Sequence, residues 1–296
     1  MNKGILYMLI SSISFAFVNL LVKVLTNSGG YFQSIQDYPP YEIVFFRSII
    51  SFVICFYIIK QKKIPFFGNN KKWLLIRGVF GATALTLFFY TLKNLPIAVA
   101  TTVQYLSPIF TVLFAIYLLN QKVKPIQWLF FLISLIGVAC IGFGKDSGLT
   151  NSIDPFWVIM GVISAIFSGV AYNAIMKCKT TDDPITVVMY FPLVATPIMI
   201  VIMIIKGFIV PIGVEWGILL IIGIFTQIAQ IFMTKSFHEE EASKITPFKY
   251  LGAIYAVCIG VFIFDENLSL IVYFGISLIL IGVLLNTFIK KKNINM

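Results

Sequence analysis

The chain has 296 residues, 59% of them hydrophobic and only 11% charged, with a formal net charge of +10. A mean hydropathy of +0.96 excludes an ordinary soluble domain, which is nearer half apolar and about a quarter charged. The positive balance does not indicate nucleic acid, because the lysines and arginines form short clusters between apolar runs and no nucleic-acid motif is present.

Apolar runs separated by polar or Gly/Pro-containing breaks predict spans near 4–26, 41–60, 73–93, 97–119, 126–144, 156–176, 184–206, 214–235, 242–264 and 268–289. Runs of about 20 residues match a hydrocarbon core of ~30 Å at about 1.5 Å per helical residue. The first, from Gly4 to Leu25, is too long for a signal-peptide core and lacks a small-residue cleavage site, so it reads as a span. Asn94-Leu95-Pro96 is the tightest break and predicts an antiparallel neighbouring pair, with Pro96 near the next helix start. With the N-terminus in the cytoplasm, Lys3, Lys60, Lys62, Lys63, Lys71, Lys72, Lys122, Lys124, Lys177, Lys179, Lys235 and Lys290 to Lys292 lie inside or at its border. Only Lys93, Lys145 and Lys206 then fall at outer borders, so the expected orientation is both termini inside, which needs an even number of spans. Trp73, Trp128, Trp157 and Trp216 each sit near a span start, where indole favours the interface.

An internal repeat runs through the chain. Tyr105-Leu106-Ser107-Pro108 lines up with Tyr250-Leu251-Gly252-Ala253 at a displacement of 145, as do Gly78 with Gly223, Ala84 with Ala229, Thr101 with Thr246 and Gly137 with Gly282. Asn19 and Lys23 meet Asn173 and Lys177 at 154, and Pro40 meets Pro184 at 144. The expected organisation is therefore residues 1–145 as a first five-helix repeat and 146–296 as a second. An odd number of spans per unit reverses the second copy, giving the inverted-topology repeat from which many secondary transporters are built. The fold class is all-α: a polytopic membrane protein of ten transmembrane helices in two inverted repeats.

These residues resemble the drug/metabolite transporter superfamily and its EamA branch. The resemblance is carried by Pro40, Glu42 and Phe46-Arg47, by Arg77-Gly78, by Leu95-Pro96-Ile97-Ala98 leading into Leu106-Ser107-Pro108, and by Glu240-Glu241-Ala242-Ser243 leading to Tyr250 and Phe264-Asp265-Glu266. It covers essentially the whole chain, with two departures: Gln121 replaces the family's usual acid after the fourth span, and Ala253 stands opposite Pro108. The resemblance implies a ten-helix carrier with a central cavity. Substrates across the superfamily range over amino acids, nucleotide conjugates, sugars and vitamins, so the substrate does not follow from the fold.

Charges within a membrane are costly and mark pathways. Arg47 and Lys249 each lie about two turns into their spans, and no Asp or Glu reaches a comparable depth, so the interior charge is positive and suits a carboxylate or phosphate. The competing reading has both bonded to helix ends or backbone carbonyls. Gln104 and Tyr105 in the fourth span and Tyr250 in the ninth sit at similar depths and are candidates to line one cavity. Gln227 and Gln230, three residues apart, share a helical face and either contact substrate or bond to a neighbouring helix. The expected substrate-binding set is Arg47, Gln104, Tyr105, Gln227, Lys249 and Tyr250, from the second, fourth, eighth and ninth spans. Lys23, Arg77, Lys177, Lys235 and Lys244 read as interfacial anchors.

One histidine and four scattered cysteines leave no metal-ligand cluster, disulfide framework or catalytic triad, so no catalytic or metal residue and no cofactor is expected. An intramembrane enzyme would need convergent acids, or a nucleophile with a base. Without a GxxxxGK[ST] motif, coupling comes from an ion gradient, exchange or downhill flow. The expectation is an inner-membrane secondary transporter of a small metabolite, preferably an amino acid or derivative with an anionic group, working by alternating access. An S-adenosylmethionine or nucleotide-type carrier is the alternative within the class, and a channel the alternative outside it. Its partners are the small-molecule substrate and the lipid bilayer, with no nucleic acid; oligomeric state is not legible.

Overall fold

A computed structural model describes residues 3–26, 35–119, 125–143, 153–240, 245, 248–249, 251–266 and 268–292. Its helices are α1 (Lys3–Thr26), α2 (Pro40–Lys62), α3 (Lys71–Asn94), α4 (Ile97–Gln104), α5 (Ser107–Leu119), α6 (Pro125–Phe143), α7 (Pro155–Cys178), α8 (Pro184–Lys206), α9 (Val214–Glu239), α10 (Leu251–Ile263) and α11 (Leu270–Lys292). Among the described residues, seven spans are long and apolar enough to cross a membrane, α4 and α5 together forming one of them. Shorter apolar stretches in α6, α10 and α11 bring the total to ten, and the protein is an all-helical, polytopic membrane protein.

Sequence chemistry sets the ends. Pro40, Pro155 and Pro184 occupy first helical positions, where the missing N–H costs nothing, and Asp154 and Asp183 accept from the N–H groups of Phe156 and Ile185. All four tryptophans fall in the first turn of a helix. The fourth span breaks between α4 and α5 because Pro108 cannot donate to the Gln104 carbonyl and crowds it. In the second copy α10 runs from Leu251 through Ala253, the residue opposite Pro108, to Ile263.

The packing obeys the inverted repeat. The third span lies along the sixth and the first along the eighth; the second meets the seventh, the fifth the tenth and the fourth the ninth. The third and fourth spans are indeed neighbours, but both pack more extensively on α7 than on each other. Glycines allow closest approach, and they do so in mirrored pairs. A Cβ on Gly78 would meet Val194 Cγ2 at 2.7 Å and one on Gly223 would meet Ile50 Cδ1 at 2.5 Å. Between the fifth and tenth spans, a Cβ on Gly137 would meet the Gly275 carbonyl at 2.6 Å and one on Gly282 the Phe130 carbonyl at 2.7 Å.

Alternating helix directions gather Lys3, Lys62, Lys71, Lys177 and Pro184 at one end, the basic end. The opposite end is tied by polar straps. Glu42 accepts from Ile209 N–H at 2.9 Å, Tyr38 donates to Glu215 at 2.5 Å, and Glu266 accepts from Ile97 N–H at 2.7 Å. Burial and the hydrogen bond to Glu215 raise the Tyr38 phenol above its ordinary range. The larger buried cluster, including Leu25, Leu92, Leu95, Ile97 and Phe264, fills this end, while a smaller one of Met8, Leu74, Cys178, Met233 and Phe237 sits at the basic end.

Candidate functional site

Between the two clusters the helices enclose a cavity of about 940 Å³, counting the part open to solvent. Most of its wall comes from α1, α3 and α7, with α2, α4, α8 and α9 adding one or two residues each and Lys249 contributing from the ninth span. This differs from the expected set of second, fourth, eighth and ninth spans. The first, third and sixth spans dominate because the repeat places the third against the sixth and the first against the eighth.

Arg47, on α2, is 1% exposed, and its Nε, Nη1 and Nη2 have no hydrogen-bond partner among the described residues. Its Cζ lies 5.6 Å from the Phe89 ring centroid and 5.0 Å from that of Phe191. Those rings hold the cation by its charge and consume none of its five N–H donors. A cation at bilayer depth costs about 2.5–3.5 kcal/mol on insertion scales, and no carboxylate among the described residues pairs with it. The reading in which Arg47 bonds backbone carbonyls is not what this conformation contains.

Arg77 was expected at the headgroups; it lines the cavity instead, 3% exposed. It donates to Gln230 Oε1 at 2.9 Å, and its Cζ lies 5.8 Å from the Phe191 centroid, so two guanidiniums flank one ring. Gly81, one turn along the same face, supplies the space: a Cβ there would overlap Arg77 Nη1. That arginine followed four residues later by glycine was the available signal.

Lys249 also faces the cavity, with Nζ donating to Tyr172 Oη at 2.8 Å and lying 4.1 Å from that ring's centroid. Gln104 lines the wall while donating to Ser168 and accepting from Ser164, both at 2.8 Å, so its amide is anchored on α7. Tyr105 lines the cavity next to Gly252, which leaves room for its hydroxyl. Gln227 points away: its amide accepts from Ser51 and donates to Cys55 Sγ on α2. Tyr250 lies outside the described residues.

Among the described residues, the cavity wall contains Arg47, Arg77 and Lys249 and no Asp or Glu. Phe15, Phe88, Phe89, Tyr105, Tyr172 and Phe191 supply apolar and π surface around them. Such a chamber can hold a small organic molecule by its anionic end and its apolar body. The described residues hold no His/Cys/Asp/Glu group suited to a metal ion. Lys23, also expected at the interface, is 6% exposed and donates to the Leu92 and Leu95 carbonyls at 3.1 and 2.7 Å, closing the end of α3. Lys244 lies outside the described residues.

A solved structure that covers 94% of this chain, and of which 98% is covered, superposes with a TM-score of 0.64 at 20% identity, a likeness of fold. The pseudopaline exporter CntI of Pseudomonas aeruginosa strain UCBPP-PA14 is 29% identical over 257 residues, 86% of this chain and 85% of that protein. The S-adenosylmethionine uptake transporter of Rickettsia prowazekii is 21% identical over 256 residues, 86% and 85% of the two chains. Residues 2–143 and 155–288 each match the EamA-like transporter family, and the chain therefore belongs to that family, as a small-metabolite transporter and not an enzyme.

Proposed function

We propose that the protein is a secondary carrier of an amino acid or amino-acid derivative with an anionic group, bound in the central cavity and passed on by alternating access. The observation that carries this reading is Arg47: buried, held by two rings, and with every guanidinium nitrogen unpartnered among the described residues. A buried cation whose nitrogens are unpartnered among the described residues is a cost that a carboxylate recovers on binding, through a bidentate charge-assisted pair. Gln104, Tyr105 and Lys249 complete the binding wall, with Gln227 behind it between α9 and α2 and Tyr250 assigned from the repeat.

Residues 1–145 and 146–296 act as the two inverted units, rocking about the paired glycine contacts between them. The lysine distribution supports cytoplasmic N- and C-termini in the inner (plasma) membrane. On that orientation the tightly strapped end faces outward, so this conformation is closed to the outside.

Counterflow in proteoliposomes tests the reading: unlabelled amino acids, nucleotides or S-adenosylmethionine are loaded inside and the matching trace label is followed from outside. Saturable accumulation driven by an amino acid is the expected result. Accumulation with S-adenosylmethionine alone would favour the second reading, which draws on that relative's name and on the aromatic wall, whose π faces suit a cationic ligand. Non-saturating flux without acceleration from the opposite side would indicate a channel.

A further inference from the structure

We infer that the preferred substrate carries at least two negative charges set apart along its length, a specificity that rests on the carrier reading above and narrows it. The cavity's three cations form a row rather than a cluster. Arg47 and Arg77 lie on either side of Phe191, at 5.0 and 5.8 Å from its centroid. Arg77 and Tyr172 line the same cavity from α3 and α7, which pack against each other, and Tyr172 receives the Lys249 ammonium at 2.8 Å. The order is thus Arg47, Phe191, Arg77, Tyr172, Lys249.

Nothing described in the wall balances that row. The described acids of the opposite end bond there: Glu215 to Gln36, Tyr38 and Ile212, and Glu42 and Glu266 through one oxygen each to the Ile209 and Ile97 N–H groups. Lys93 pairs with Asp37 at 2.8 Å, away from the cavity and near the surface. A singly charged ligand placed on Arg47 would leave Arg77 and Lys249 uncompensated in a largely apolar chamber. Two separated anionic groups can meet both ends of the row, and the intervening rings cover the chain joining them. Donor capacity agrees with this: Arg47 uses none of its N–H groups, Arg77 Nε is unpartnered, and Lys249 spends one of three on a neutral hydroxyl.

The test is counterflow competition in proteoliposomes with matched pairs differing by one anionic group: glutamate against glutamine, aspartate against asparagine, and phosphoserine against serine. The doubly charged member of at least one pair should compete with a half-saturation at least tenfold below that of its partner. Half-saturations within twofold in every transported pair would overturn the inference while leaving the carrier standing; no counterflow with any compound, in monodisperse folded protein, would overturn both. Arg77→Gln should reduce the preference about tenfold, with size-exclusion chromatography and thermal unfolding in detergent reporting that the variant is folded. Arg77→Lys should restore part of it. An unchanged ratio in Arg77→Gln would remove Arg77 from the site.

Discussion

Gly137 and Gly282, one in each copy of the repeat, press on the carbonyls of Gly275 and Phe130, positions that are themselves counterparts. Arg47, Arg77 and Lys249 behave differently: their counterparts are Phe191, Ile222 and Gln104, none of them charged. Gly81, which makes room for Arg77, has Thr226 opposite it, so where the arginine is missing the space is filled again. Residues between the two copies thus keep the two-fold relation, and cavity residues break it. A frame that rocks between two equivalent arrangements requires near-equal contacts in both, whereas a ligand without two-fold symmetry is best held by a lopsided wall. The polar straps follow the frame: Glu42 receives Ile209 N–H near one end, and its counterpart Thr186 donates to the Pro65 carbonyl, the counterpart of Ile209, near the other.

The strongest break in that comparison is Arg47→Ala, which should lower counterflow on the order of 100-fold or more, the usual cost of truncating one partner of a buried charge pair. Because Arg47 has no hydrogen-bond partner among the described residues, Arg47→Leu should at the same time raise the melting temperature in detergent, an apolar side chain being better solvated there than a cation held only by two rings. Near-normal transport by Arg47→Ala would take it out of the site. On the frame, Gly137→Val and Gly282→Val should each destabilise by about 1–3 kcal/mol through overpacking, and by similar amounts. A large cost for one and none for the other, in thermal unfolding, would show that the two-fold contact is not shared.

The spans were legible because hydropathy and first-turn prolines report directly on helix ends; the expected 184–206 and the observed Pro184–Lys206 coincide. Mid-span charge also made Arg47 and Lys249 visible. Arg77 was not, since six residues from the start of α3 its Cα sits at a depth from which a long side chain can reach either the headgroups or the interior, and sequence does not give its direction. The glutamines of α9 teach the same lesson more finely. Three residues leave them about 60° apart around the helix, enough for Gln227 to turn toward Ser51 and Cys55 on α2 while Gln230 meets Arg77 on α3.

Making the fourth and ninth spans alike sharpens the contrast within the site. Lys249→Gln copies the residue at position 104 and should raise the half-saturation for an anionic substrate about tenfold, or ~1.4 kcal/mol, with a smaller effect on maximal rate. A change confined to the maximal rate would assign Lys249 to the conformational step instead of to binding.

The smallest expected difference separates two lysines that occupy the same place in the repeat. Lys23 is buried and closes α3 with two carbonyl bonds, while Lys177 rests 5.7 Å from the Trp73 ring centroid at the basic end. Removing the first leaves two buried acceptors and a helix C-terminus without its cation, so Lys23→Met should cost about 1 kcal/mol. Lys177→Met loses only a partly exposed cation–π contact and should cost about 0.5 kcal/mol or less. Thermal unfolding of the two variants beside the parent decides the matter. Equal losses would mean that Lys23 acts as the interfacial anchor its position in the sequence implied, while a larger loss at Lys23 alone makes the closure of α3 a feature of the first copy and adds stability to the strapped end that the basic end does not share.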